Sequence, residues 1–260
     1  MKEDDKISFT DHLTELRKRL IICFIAIGVG FALTYGVKEK IFEILTLPLI
    51  HEMKAGDKMI FTGLSEAFFI YMKLSLYAGI AIASPVVFYQ IWVFVAPGLY
   101  HDEKRHVFPI VLFSVFFFAG GILFCYFIVF PVAIKFFLGF ASDTIQALPS
   151  MNEYLQFATK MLLGFGLVFQ LPLVIIFLAK LGIVTVEFLR KNRKYAILLI
   201  FIVAALLTPT PDVFNQLLMA VPLMFLYEVS ILGAVFFEKK KEKEESENNE
   251  SESTDKTSAE

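Results

Sequence analysis

Residues 68–95 read FFIYMKLSLYAGIAIASPVVFYQIWVFV, and Lys73 is the only charge among them. A helix of about 20 apolar residues crosses a bilayer core about 30 Å thick, so this run is long enough to span one. Five further apolar runs bounded by charge emerge on either side: Leu20–Val37, Val107–Phe130, Ala158–Leu181, Tyr195–Leu207 and Gln216–Phe237. The run from Tyr195 to Leu207 is the weakest. At about 1.5 Å per residue it reaches only about 20 Å, and needs a thinned bilayer or support from its neighbours. Composition agrees, with 57% hydrophobic residues, 19% charged residues and 30 Phe in 260. Soluble domains are about 45–50% apolar and about 25% charged. The sequence therefore predicts an all-α polytopic membrane protein with six spans, and argues against a soluble enzyme or a nucleic-acid binder.

An even number of spans puts both termini on one side. Of the 24 Lys and Arg, 17 fall on the N-terminal side, from Lys2, Arg17 and Arg19 through Lys104 and Arg105 to Arg193, Lys194 and five in the tail. Lysine and arginine concentrate on the cytoplasmic side, so both termini are expected there. The membrane domain covers residues 1–237. Residues 238–260 carry nine acids and five bases with no aromatic or branched aliphatic side chain. Such a segment cannot repay the entropy of folding, and it is expected to be a disordered acidic tail. Cys23 and Cys125 each sit in an apolar run, and are read as packing residues on different spans. The first span lacks a small-residue cleavage site after Thr34-Tyr35-Gly36-Val37, so it is expected to remain as an anchor.

The connections differ in kind. Segments 38–67 and 131–157 are long, contain Pro48 and Pro149, and read as structured caps on the outer face. Thr208-Pro209-Thr210-Pro211-Asp212-Val213-Phe214 is short and proline-stiffened, so the last two spans should form a tight hairpin. No phosphate-cradling GxxxxGK[ST], HExxH or paired CxxC is present, and His12, His51, His101 and His106 are scattered. We find no catalytic residue, metal site or cofactor motif.

Three features stand out. Ser8-Phe9-Thr10-Asp11 has the spacing of a helix cap, followed by Phe9, Leu13, Leu16 and Leu20 at steps of four, three and four, which predicts an amphipathic helix over about residues 8–19. Its polar side carries Glu15 and Arg17, with Lys18 and Arg19 within one turn of the carboxylate. Local ion pairing is one reading of this pattern. The second feature is the short inner loop from Trp92 to Arg105, with aromatics at one end and Asp102, Glu103, Lys104 and Arg105 at the other. Glu103 has basic neighbours of its own, yet Glu15 and Glu103 together also suit guanidinium groups of a ligand, which bind carboxylates in a bidentate way that Lys cannot reproduce. The third is Gln170, two residues before Pro172. That proline frees the carbonyl of Val168 and predicts a polar patch at membrane depth, serving either helix packing or transport. Pro85 and Pro222 should bend their spans, and Ser75, Gly79 and Ala83 form a small-residue face suited to close helix packing.

HLTELRKRL at 12–20, YQIWVFVAPGLYHDEKR at 89–105, FGLVFQLPL at 165–173 and LLTPTPDVFNQ at 206–216 resemble the TatC family. Its members are the multispanning receptor subunits of the twin-arginine protein translocase. The resemblance covers nearly the whole chain up to the tail, with the motifs in family order and spacing. It implies a glove-shaped six-span bundle in a bacterial cytoplasmic (inner) membrane. It also implies binding of the Arg-Arg signal peptides of folded cargo, and assembly with TatA- and TatB-type single-span subunits and further copies of the chain. Export would be driven by the proton gradient, with membrane lipid but no nucleic acid as a partner and no cofactor.

By the same resemblance, acidic residues matching Glu15 and Glu103 receive the two arginines, and Arg17 and Phe94 belong to the same recognition region. Pro48 and Asp212 match positions with structural or assembly roles. Gln170 departs from the pattern, because many members have a glutamate there. An amide donates and accepts hydrogen bonds without titrating, so Gln170 is read as an intramembrane polar contact. The competing reading is a secondary transporter of a small solute or ion. That class predicts ionisable groups near the midplane, whereas Lys73 lies within about two turns of a span end and can snorkel.

Overall fold

The computed structural model describes residues 9–54, 58–61, 63–95, 104–142, 147–208 and 212–257. Ten α-helices follow one another among the described residues: α1 (Phe9–Tyr35), α2 (Lys38–Glu52), α3 (Glu66–Val95), α4 (Lys104–Phe124), α5 (Phe130–Leu138), α6 (Met151–Val168), α7 (Leu171–Lys180), α8 (Val186–Lys191), α9 (Arg193–Leu207) and α10 (Val213–Thr257). A π-helical turn, Cys125–Val129, joins α4 to α5.

Four segments are long and apolar enough to cross a membrane: Glu66–Val95, Phe108–Leu138, Met151–Lys180 and Val213–Phe236. The pair Leu13–Tyr35 and Lys38–Glu52, bent by 83°, makes a fifth if counted as one span. Of the six expected runs, the first qualifies only through that pair, and α9 falls short, since its 15 residues extend about 22 Å.

Unlike a water-soluble fold, the protein carries large apolar side chains over its surface as well as in its core. Phe24, Phe116, Leu206, Phe225 and Phe236 are each more than two-thirds exposed, while Thr34, Ser75, Ser114, Asn215 and Ser230 are buried. Apolar surface on this scale is tolerated only where the surrounding medium is itself apolar. The hydroxyls inside are satisfied within the protein. Ser75 donates to the carbonyl of Tyr71, Thr159 to that of Leu155 and Ser230 to that of Leu226, the back-bonding that lets a hydroxyl sit in a helix without water.

Several boundaries differ from the sequence expectation. The amphipathic segment and first span form one continuous helix, α1; its capping residue Ser8 lies outside the described residues. The third run does not end at Phe130 but continues through α5 to Leu138. Pro131 stands in the first turn of α5, where its missing amide proton costs little. The preceding turn widens so that the Phe130 amide donates to the Cys125 carbonyl, as a π turn requires. At the C-terminus the backbone of α10 continues to Thr257, across residues for which composition predicts disorder. Glu and Lys are good helix formers, so local propensity favours helix even without a core.

The chain forms two compact units, Met1–Leu167 with Leu207–Pro211, and Val168–Leu206 with Asp212–Glu260. In the first, α1 and α3 run antiparallel in a register set by glycine. A Cβ added to Gly30 would lie 2.5 Å from the Gly79 carbonyl oxygen, and one added to Gly79 would lie 2.6 Å from the Phe31 nitrogen. Only hydrogen permits backbones this close. Four residues further on, the Thr34 hydroxyl donates to the Ser75 carbonyl at 2.7 Å. Ser75, Gly79 and Ala83 are all buried, so the small-residue face expected on this span is a packing face.

The two long connections, 38–67 and 131–157, carry ordered structure. Helix α2 lies in the first, and in the second Met151 donates to the Ile60 carbonyl while Ile60 donates to that of Pro149, at 2.9 and 3.1 Å. The second unit joins α7 to α10, where a Cβ on Gly233 would meet Ile176 at 2.6 Å. Tyr227 donates to the Leu189 carbonyl, Gln216 to that of Phe201, and Arg193 pairs with Glu228 at 2.8 Å.

Candidate functional site

The register that brings Gly30 to Gly79 also decides what meets near the N-terminal end of α1. Eleven residues before Gly30 stands Arg19, and eleven after Gly79 stands Gln90. In an antiparallel pair these steps cancel, and the Arg19 Nη1 donates to Gln90 Oε1 at 3.2 Å. The other side of the guanidinium turns to Glu15, one helical turn earlier. Arg19 Nε donates to Glu15 Oε1 at 3.1 Å, and Nη2 donates to the same oxygen. Both bonds fall on Oε1. The Glu15 side chain is 35% exposed and that of Arg19 is 17% exposed, so the pair sits half in and half out of the protein. Glutamate preceding the base by four residues is the favourable order for such a pair.

Phe94 stands four residues after Gln90 and is half-buried, so it shares Gln90's face of α3. Trp92 takes the other side. Its indole N–H donates to Ser114 Oγ at 2.7 Å in a buried contact with α4. The last turns of α3 are thereby fixed on both flanks, which holds Gln90 and Phe94 in place. Arg17 is exposed and lies about 200° round the helix from Glu15. Thus Glu15 and Phe94 sit on the paired helices α1 and α3, whereas Arg17 lies to one side. Glu103 lies outside the described residues.

Pro48 and Asp212 have identifiable structural tasks. Pro48 lies inside α2 and has no amide proton, so the carbonyl of Ile44 loses its helical donor. The Tyr126 hydroxyl donates to that carbonyl at 2.6 Å, and the Tyr154 hydroxyl donates to the adjacent Leu45 carbonyl, also at 2.6 Å. The proline thus opens a docking point, and two tyrosines from other helices tie α2 down. Asp212 caps α10. Its Oδ1 accepts from the Asn215 amide at 2.7 Å and its Oδ2 from the Asn215 side chain at 3.0 Å, with the negative charge at the positive end of the helix.

Gln170 sits at the break between α6 and α7, half-buried, and its carbonyl accepts from the Val174 amide at 3.0 Å. Pro172 occupies the first turn of α7, so the expected disturbance takes the form of a helix interruption. Gln90, Tyr126 and Tyr154 were not singled out by sequence. For Gln90 a signal existed: an amide deep in an apolar run, one turn before Phe94. For the tyrosines there was only half of one, since Pro48 implies an unpaired carbonyl without saying which hydroxyl answers it.

A family model described as Sec-independent protein translocase protein (TatC) matches residues 11–222. The chain is similar to the Sec-independent protein translocase protein TatC of Desulforapulum autotrophicum, with 62% identity over 241 residues covering 93% of this chain and 89% of the relative. It is similar to the protein of the same name in Escherichia coli strain K12, with 39% identity over 258 residues covering 98% of this chain and all of the relative. Among solved structures, a crystal structure of a twin arginine translocase receptor, TatC, superposes with a TM-score of 0.78 at 41% identity, covering 87% of this chain and 99% of that one.

Proposed function

Because the chain belongs to the TatC family, the non-enzymatic membrane components of the Sec-independent protein translocase, we propose that it is the receptor for Arg-Arg signal peptides of folded cargo. Glu15 and Glu103 receive the two guanidinium groups, and Arg17 and Phe94 belong to the same recognition region. The observation that carries this reading is that Glu15 already holds a guanidinium, that of Arg19, in a half-exposed position on two tightly packed helices. A carboxylate so placed is accessible to a peptide yet shielded enough for a charge-assisted contact to be selective.

The same family membership supports assembly with TatA- and TatB-type single-span subunits and with further copies of the chain. It also supports a bacterial inner-membrane location with both termini cytoplasmic, and coupling to the proton gradient. Gln170 serves as a polar contact for a partner helix or an inserted signal peptide. Pro48 and Asp212 support assembly through the elements they shape.

The test is binding of a fluorescent signal peptide to the detergent-purified protein, in Arg-Arg and Lys-Lys versions, on the native chain and on Glu15→Ala and Glu103→Ala. The Arg-Arg peptide should bind at least about tenfold tighter, equivalent to about 1.4 kcal/mol. Either substitution should remove that preference. Equal binding of both peptides to the native chain, unchanged by the substitutions, would overturn the receptor assignment.

A further inference from the structure

Resting on the receptor reading, we propose that Arg19 is the resident occupant of the Glu15 carboxylate, so that signal binding is the exchange of one guanidinium for another. Arg19 presents the same chemical group as the ligand's arginine. It reaches Glu15 through two N–H donors and is steadied from behind by Gln90. Its position one turn along the same helix gives it a high effective concentration at the carboxylate. The Gly30–Gly79 contact fixes the height at which Gln90 meets it. Both of its bonds fall on Oε1, so an incoming guanidinium can first engage Oε2 and gain both oxygens as Arg19 swings away.

The consequence for recognition follows from competition. A tethered competitor lowers the affinity of every ligand that needs Glu15 by one common factor, and leaves the ratio between ligands unchanged. A strong bidentate ligand stays within useful range after that reduction, whereas an ammonium ligand, a point charge without the fork, falls below it. Arg19 in this way sets a threshold for recognition and keeps the carboxylate paired between cargoes.

The experiment titrates Arg-Arg and Lys-Lys signal peptides into the detergent-purified full chain carrying Arg19→Gln, Arg19→Lys, Lys18→Gln, Glu15→Ala, or Glu15→Ala with Arg19→Gln. Partly exposed ion pairs of this kind are weak, so Arg19→Gln should tighten both peptides by a common factor of about two to five. Arg19→Lys should give a smaller gain, and the gain should vanish on the Glu15→Ala background. Lys18→Gln removes the same charge from an exposed neighbour and controls for general repulsion of a cationic peptide. A loss of affinity in Arg19→Gln would overturn the proposal, since Arg19 would then be orienting the carboxylate for the ligand. An equal gain in Lys18→Gln, or a gain that survives without Glu15, would also overturn it. If Arg19→Gln does not yield a monodisperse protein, Arg19→Lys and Gln90→Leu decide, each expected to tighten binding to a lesser degree. Equal binding of the two peptides to the native chain would instead sink the receptor reading, which the native titration reports separately.

Discussion

Gly79→Ala tests the contact on which the first unit is built. The new Cβ would lie 2.6 Å from the Phe31 nitrogen and 2.9 Å from the Gly30 carbonyl carbon, all of it backbone that cannot rotate away. Ordinary contact starts at 3.4 Å, so α1 and α3 must part by the difference between 3.4 and 2.6 Å, 0.8 Å. The Thr34–Ser75 bond, now 2.7 Å, would stretch to about 3.5 Å and cease to be a hydrogen bond. Overpacking of this kind costs about 1–3 kcal/mol, and the lost interhelical bond adds about 0.6 kcal/mol.

Gly28→Ala is the matched control, because its Cβ meets nothing within 4 Å. Both substitutions gain the same helix propensity, so their difference isolates the clash. The assay heats the detergent-purified variants in steps and measures the monodisperse fraction that survives. We expect Gly79→Ala to lose its folded fraction at a clearly lower temperature than the native chain, and Gly28→Ala to match or exceed the native chain. If the two alanine variants melt together, the close approach of α1 and α3 is not what holds this unit, and the register that aligns Arg19 with Gln90 loses its physical basis.

Tyr154→Phe should cost about 0.6–2 kcal/mol and expose α2 to limited proteolysis. Tyr126→Phe should cost a comparable amount, because the Ile44 carbonyl it serves has lost its helical donor to Pro48; no loss in either variant would contradict the assignment. Asp212→Ala should lower thermal stability by about 1 kcal/mol through loss of the α10 cap. Asp212→Asn, which still accepts from the Asn215 amide, should recover most of it, and equal losses would point away from capping. Four leucines inserted into α9 would lengthen it by about 6 Å. If the short helix thins the bilayer for cargo, export of a folded reporter should fall, and unchanged export would refute that role.

The site was partly legible in the chain. Glu15 with Arg19 one turn later is a local pattern, and the ion pair foreseen as one of two alternatives is present. The small face of Ser75, Gly79 and Ala83 was readable for the same reason, since helical period places it on one side. Boundaries were less legible. The third apolar run is bounded at Phe130 in the sequence, yet Pro131, in the first turn of a continuing helix, breaks nothing, and a π turn precedes it. The backbone of α10 runs on to Thr257; composition speaks to the tail's missing core and not to the local helix propensity of its Glu and Lys.

Sequence by itself determined that the protein is a bundle of apolar helices and roughly where they run. Burying or exposing apolar surface is nearly additive along a run, and counting captures it. Tertiary structure alone decided which polar groups meet: Arg19 with Gln90, Thr34 with Ser75, Tyr126 and Tyr154 with the carbonyls beside Pro48. Each of those contacts joins residues far apart in the chain, and the first two lie at a height set by two glycines that let two backbones touch. A hydrogen bond is satisfied within a few tenths of an ångström or not at all. Its partner therefore depends on the register between helices, which no periodicity within one helix contains.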